Sequence, residues 1–353
     1  MRVAITATSV ALPDGEALSP TDEYWPLLVQ GRSLLAVRPH TGADAPAATL
    51  PPAFAGRRAT SLAHFALRQV WRMLPARAAL VIATTKGELE PWLEGAGGDG
   101  LNALAAQLAD MGLKLPALTR VVSNACVSGA QAVIEGLELV QDGDADAALV
   151  LGADALTPFV AQGFHSLQGD SASGARPFDA ARDGLSLGEA AAALLLQPGP
   201  GPHIAGYGAS NDANHISGPS RDGSGLALAM ERALHGLDRS SVVAICAHGT
   251  GTLYNDAMEA RAFHAAFDGS PPPVFGIKGA IGHTLGAAGL IEVIVAARVA
   301  CTGVIPPTAG YTRGETEYAL DVVHGAAREV APGLVLTTNS GFGGMNTAIV
   351  VSP

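Results

Sequence analysis

The chain has 353 residues, 48% of them hydrophobic and 15% charged, with 43 glycines and a formal net charge of −11. That length and apolar share support a sizeable core, in two small domains or one large α/β unit, and the acidic balance argues against nucleic acid as a partner. The three cysteines, Cys126, Cys246 and Cys301, include no CxxC pair, so there is no disulfide framework or zinc signature, and a reducing, intracellular setting fits.

In chain order, Met1-Arg2-Val3-Ala4-Ile5 opens a predicted strand reaching Ala11 rather than a signal peptide. Arg57-Arg58, with Arg68 and Arg72 further along a predicted helix, is the densest arginine cluster. Ala79 to Thr84 reads as a buried strand, and Arg120 to Ala125 as another that runs into a corner at Cys126. The run after it places apolar Ala130, Val133, Ile134, Leu137 and Val140 at helical spacing. Cys126 thus falls at a helix amino end, where unpaired N–H groups and the dipole favour negative charge and lower a thiol's pKa. A cysteine among apolar neighbours also reads as a core thiol, and the stretch alone leaves both readings open.

Ala147 to Ala153 and Ala190 to Leu196 are the next strands, and Gln197-Pro198-Gly199-Pro200-Gly201-Pro202 punctuates the chain. The same layout then repeats. His203 to Ser210 matches the first strand, Val242 to Ala247 the second, and Val274 to Lys278 the third, which leads to His283 and an apolar helix from Leu290 to Ala300. Val335 to Thr338 and Thr347 to Val351 close the second half. Strands alternating with helices predict mostly parallel sheets covered by helices. We expect two halves, 1–198 and 199–353, related by a pseudo-two-fold and packed as one compact domain. Loops are expected at 42–56, 92–100 and 167–174. The most apolar stretch, Leu290 to Ile305, carries Glu292 and Arg298 and falls short of a membrane span, which predicts a soluble protein.

Under that duplication Cys126 and His283 occupy equivalent corners. His248 ends a strand and begins His248-Gly249-Thr250-Gly251-Thr252, whose glycines permit a close approach of a ligand to the backbone. Lys278 precedes His283 by five positions. Asn339-Ser340-Gly341-Phe342-Gly343-Gly344 is a glycine-rich turn able to present N–H groups to an oxyanion, and it lacks the lysine and hydroxyl of a phosphate loop. Taken singly, His248 also reads as a strand-end cap, His283 as a satisfied core histidine, and the turn as tight packing. His40, His64, His165, His235, His264 and His324 read as surface or structural residues.

Together these motifs resemble the elongating β-ketoacyl-(acyl carrier protein) synthases of the thiolase superfamily. The resemblance is carried by Ala-Cys126-Val-Ser-Gly, His248-Gly-Thr-Gly-Thr, and Lys278 with His283 in Lys-x-x-x-x-His-Thr-x-Gly-Ala-Ala-Gly. Arg176-Pro177-Phe178-Asp179, Asp212-Ala213-Asn214-His215, Asn255-Asp256 with Glu259, Pro306-Pro307-Thr308 and the final Gly-Phe-Gly-Gly add to it, in family order across essentially the whole chain. The Cys-His-His set differs from thiolases, which use a second cysteine, and from initiating synthases, which carry asparagine in the place of His283.

The resemblance implies a thiolase-like α/β fold: duplicated βα halves, two central mixed sheets and buried helices between layers. It also implies a decarboxylative Claisen condensation. Cys126 would take the acyl group, the Cys126 N–H and one near Ser340 would hold the oxyanion, and His248 and His283 would bind the malonyl thioester carbonyl. Lys278, paired with Glu292, would orient His283, while Thr250 and Thr252 would contact pantetheine. No metal or bound cofactor is implied, since substrates arrive on the phosphopantetheine of an acyl carrier protein. Arg57 and Arg58 lie where the family keeps carrier-docking residues. The implied assembly is a homodimer, or a heterodimer with a related chain-length-factor subunit, in the cytoplasm. The chain is shorter than the family norm of roughly four hundred residues, and Ser340 aligns where a bulky gating phenylalanine is usual. Both departures point toward specialised, aryl-polyene-like pathways. A non-catalytic partner subunit and a cysteine hydrolase of acyl thioesters are the alternatives.

Overall fold

The computed structural model describes residues 2–13, 23–37, 45–49, 58–95 and 100–353. Ten strands build the main sheet: β1 Val3–Ala11, β2 Ala78–Ala83, β3 Leu118–Val122, β4 Ala147–Asp154, β5 Ala190–Pro198, β6 His203–Asn211, β7 Val242–Cys246, β8 Val274–Phe275, β9 Leu334–Gly341 and β10 Met345–Ser352. Their spatial order is β8-β7-β9-β10-β6-β1-β5-β4-β2-β3. From its outer edge inward each half reads the same way, β3-β2-β4-β5-β1 in the first and β8-β7-β9-β10-β6 in the second. In both, the outer three strands pair parallel and the inner two antiparallel. Where two separate sheets were expected, the half-sheets join edge to edge through β1 and β6, registered at Ala4 and His203.

Six helices repeat likewise: α1 Arg58–Val70, α2 Gly100–Asp110 and α3 Ser128–Gln141, then α4 Ser224–Ala233, α5 Leu253–Ala266 and α6 Ala288–Thr302. Side chains alternate along each strand, and both faces are covered, so β2 and β4 are buried from end to end. On β2, Ala79, Val81 and Ala83 join the central core while Leu80 and Ile82 join an outer cluster with Leu62 and Leu67 of α1 and Leu104 of α2. On β7 and β9, Ile245 and Leu336 face Met230 of α4 and Phe263 of α5 in the same manner. The central layer is α3 and α6. α6 is apolar apart from Glu292 and Arg298 because it is surrounded; the stretch Leu285–Thr302 is long and apolar enough for a membrane, yet 83% of it is buried inside this fold.

α3 and α6 cross where neither carries a side chain. A Cβ on Gly129 would lie 2.6 Å from the Leu290 nitrogen, and one on Gly289 would lie 2.7 Å from the Ala130 nitrogen. Two glycines therefore let the helices touch backbone to backbone directly behind both corners. Leu89–Leu93 and α2 flank part of the segment expected to be loop, and the expected loop at 42–56 falls almost wholly outside the described residues.

Candidate active site

Cys126 sits between the end of β3 and the start of α3. Ala125 adopts φ 47°, a left-handed value uncommon for a residue with a side chain, and this sharp turn presents the cysteine. Ser128 locks it: its hydroxyl accepts from the Asn124 N–H at 2.8 Å and donates to the Ala125 carbonyl at 2.6 Å. Opposite, Gly341 comes so close that a Cβ there would lie 3.2 Å from the Cys126 nitrogen. The backbone N–H that reaches the thiol belongs to Phe342. This corrects the assignment to Ser340, whose residue pairs within the β9–β10 ladder and whose hydroxyl donates to Asn346 Oδ1 at 2.8 Å. The expected lowering of the thiol pKa is also overturned. Burial pushes it up to about 11, and the opposing pull of Lys278, Lys86 and the Phe342 N–H does not offset the loss of water.

The two histidines meet edge to face, with ring centroids 5.1 Å apart and planes at 88°. His248 Nδ1 faces two donors, Lys278 Nζ at 3.1 Å and Asn339 Nδ2 at 3.2 Å. His283 Nδ1 faces the Leu285 N–H at 3.2 Å. With both Nδ1 atoms accepting, each ring carries its proton on Nε2. Burial drives both imidazoles well below their usual pKa, and Lys278 reinforces it, so both are neutral near pH 7. Two neutral N–H donors therefore line the cleft that reaches Cys126.

Lys278 is buried on the other side of His248, bound to Glu292 and to the His248 carbonyl at 2.6 Å. Glu292 accepts from Asn339 as well. The ammonium thus spends its three hydrogens on Glu292 and two atoms of His248, so Lys278 orients His248, not His283 as expected. Beneath the His248-Gly249-Thr250 turn, Glu259 accepts the N–H groups of His248 at 2.8 Å and Gly249 at 2.7 Å. Burial, aided by Asp256, raises the Glu259 carboxyl to about 8.

A cleft of about 330 Å³ leads from the surface to this cluster. Thr250 and Thr252 face it with hydroxyls 2.9 Å apart, and Phe164, Leu167 and Tyr254 form its apolar wall. Phe342 stacks on Phe164 at 5.8 Å, so the aromatic absent from position 340 is supplied two residues later. Arg57 lies outside the described residues, and Arg58 is buried with its guanidinium committed to Glu189, which corrects its assignment to an exposed docking patch. Among the described residues, Arg221 stacks at 4.9 Å over Tyr254 of the cleft wall. No group of three or more His, Cys, Asp or Glu side chains among those residues could hold a metal ion. Sequence reasoning missed Asn339 and Leu285 as site residues, and the N–H role of Phe342. Asn339 and Phe342 stand inside a motif it had marked, whereas nothing in the sequence distinguishes Leu285.

Residues 76–200 match the N-terminal domain of the β-ketoacyl synthases and residues 202–312 the C-terminal domain. The chain belongs to the β-ketoacyl synthase family, with the thiolase-like fold of that family. The tetracenomycin polyketide synthase ketoacyl synthase alpha subunit of Streptomyces glaucescens is 38% identical over 255 residues, 66% of this chain and 59% of that relative. The chain spans about three-fifths of the length of such curated relatives. A β-ketoacyl synthase from Burkholderia phymatum STM815 superimposes with a TM-score of 0.85 at 27% identity, covering 99% of each chain. The ishigamide ketosynthase/chain length factor gives 0.86 at 27% identity, covering 99% of this chain and 98% of that one.

Proposed function

We propose that this chain is a catalytically competent elongating ketosynthase, acting on acyl groups carried by the phosphopantetheine arm of an acyl carrier protein. The observation that carries the reading is the pair of neutral imidazoles, each with its Nε2–H free to donate, in the same cleft as a cysteine set on a sharp turn. In the first step the Cys126 sulfur adds to an acyl thioester. The tetrahedral oxyanion is held by the N–H groups of Cys126 and Phe342, and the pantetheine thiol leaves with the proton that the cysteine gives up. A malonyl thioester then enters past Thr250 and Thr252. His248 and His283 donate to its thioester oxygen, the carbon–carboxylate bond breaks, and carbon dioxide departs while the electron pair stays on carbon as an enolate. That carbon attacks the acyl group on Cys126, and the sulfur leaves as a thiolate that regains a proton from solvent. A protonated imidazole is disfavoured here, since its charge would be buried beside that of Lys278.

The division into a nucleophile-bearing half, 1–198, and a histidine-bearing half, 199–353, forms part of this reading. It is supported by the meeting point of the two family domains at 200 and 202. The pathway is of polyketide or polyene type, in the cytoplasm, and the working unit is a dimer with a second copy or with a chain-length-factor relative. An acidic carrier would approach the cleft mouth at Arg221. A non-catalytic partner subunit would have no use for neutral donors arranged around a thiol. The decisive measurement is incubation with malonyl-carrier and a panel of acyl-carriers, followed by mass spectrometry. A ketosynthase releases carbon dioxide and lengthens the chain by two carbons. Free acid would mean a hydrolase, and no change with either partner would overturn the catalytic reading.

A further inference from the structure

Asp154 closes β4 with a buried carboxylate that no step above employs. Its two oxygens tie together turns from opposite halves of the molecule. Oδ1 accepts the Thr84 hydroxyl at 2.8 Å, and Oδ2 accepts the N–H of Thr85 at 2.8 Å and of Gly286 at 2.6 Å. The residue before Gly286 is Leu285, buried and held at φ 53°, a left-handed conformation that a bulky residue adopts only where its surroundings impose it. This conformation points the two consecutive N–H groups at different acceptors. That of Leu285 reaches His283 Nδ1 at 3.2 Å and that of Gly286 reaches Asp154. Position 286 admits no larger residue, because a Cβ there would lie 2.6 Å from Oδ2. The main chain of His283 is fixed separately, its N–H on the Ser186 carbonyl at 2.7 Å and its carbonyl taking the Gly188 N–H at 3.0 Å. Only the ring tautomer is left to the Leu285 N–H.

We propose that Asp154 is a positioning residue for His283: by holding the Gly286 N–H it keeps Leu285 left-handed, which keeps the Leu285 N–H on Nδ1 and the imidazole proton on Nε2. A residue of the nucleophile-bearing half thereby sets the donor of the other half. The consequence for chemistry rests on the condensing role proposed above. Asp154 touches no substrate and its charge only helps to hold the Cys126 thiol pKa up, so its loss should weaken decarboxylation without slowing acyl transfer to Cys126.

The test compares Asp154→Ala with Asp154→Asn in the full-length enzyme. The amide oxygen of asparagine can stand in for Oδ2 and accept both backbone N–H groups, whereas alanine accepts neither. In nitrogen-15 spectra of histidine-labelled protein, His283 should be protonated on Nε2 in the wild type and in Asp154→Asn, and lose that single form in Asp154→Ala. Malonyl-carrier decarboxylation by Asp154→Ala should fall about tenfold or more in kcat, with KM and the Cys126 acylation rate held within about threefold. Asp154→Asn should stay within about threefold on every measure. If Asp154→Ala does not fold, Asp154→Ser, whose single hydroxyl cannot serve both N–H groups, carries the same expectations. An unchanged His283 signal in the alanine or serine variant overturns the proposal, as does a parallel fall in both half-reactions. A wild type that shows the Nε2–H form, lost in Asp154→Ala, yet never releases carbon dioxide supports the positioning role and sinks the proposed reaction instead.

Discussion

The corner after β3 and the corner after β8 occupy equivalent places in the two halves, and each feeds one of the two buried helices. The first is short: one left-handed residue, Ala125, precedes Cys126, and α3 starts at Ser128. The second is longer, with Gly282 at φ 72° and Leu285 at φ 53° bracketing His283 before α6 starts at Ala288. The short corner leaves a backbone N–H beside the thiol. The long one folds a backbone N–H onto an imidazole and fixes its proton. One duplicated scaffold thus supplies a cysteine thiol and a neutral donor, and the difference lies in how many residues separate strand from helix.

The comparison breaks most sharply if the two corners are not separable. Cys126→Ala should abolish acyl-enzyme formation and condensation altogether while the protein remains folded, as read by intact-mass spectrometry and thermal unfolding. His283→Ala should still load an acyl group onto Cys126 but lose about 100-fold or more in malonyl-carrier decarboxylation, within the range for losing a catalytic donor. Complete loss of loading in that variant would show that the second corner also serves the first step.

Lys278 tests whether the pairing beneath His248 is structural as well as electrostatic. Lys278→Met leaves Glu292 buried with only Asn339, so unfolding by urea should show a loss of about 3–5 kcal/mol. Replacing Glu292 by leucine in the same chain should recover part of it, because no buried charge then lacks its partner. The pH response sharpens the contrast further. With Cys126 held up at about 11, its alkylation by iodoacetamide should be slow at pH 7 and keep rising beyond pH 9. Glu259, raised to about 8 in the fold, binds its proton more tightly folded than unfolded. Its contribution to stability is present below the unfolded carboxylate pKa and is lost as pH rises through about 8, so Glu259→Gln should flatten the fall in melting temperature between about pH 5 and pH 8. The smallest effect is expected at the rim. Arg221→Glu should raise KM for acyl-carrier by about threefold at low salt, an effect that fades at physiological ionic strength, and leave kcat alone.

Much of this was legible in the sequence because duplication, buried strand runs and punctuation are local signals. The repeated strand runs, such as Ala79 to Thr84 and Val242 to Ala247, are the second strand of each half. Cys126, His248, His283 and Lys278 were named, and they converge in one cleft and its floor. What was not legible depends on three dimensions. The thiol's pKa turned on burial, which local pattern does not report, so the helix terminus was weighed without the desolvation that outweighs it. The resemblance pairs Lys278 with His283, but the short helix Lys278–Ile281 carries its side chain to His248 instead. Arg57-Arg58 looked like a surface patch, yet Arg58 points inward to Glu189, a carboxylate 131 positions away. Asp154 bears on His283 through a contact spanning 132 positions, beyond any periodicity.

The glycine crossing of α3 and α6 bears on how such an enzyme can diversify. One helix begins just after Cys126 and the other just after His283, and at Gly129 and Gly289 the two backbones lie against each other with no side chain to cushion a shift. A change that resized the core at that point would displace cysteine and histidine together, so natural variation and laboratory selection alike are steered away from it. Tolerance belongs to the outer wall, where Phe164, Leu167 and Tyr254 line the cleft but support neither helix start. Substitutions along that wall should therefore reshape the cleft while leaving the two corners and the helix crossing in place.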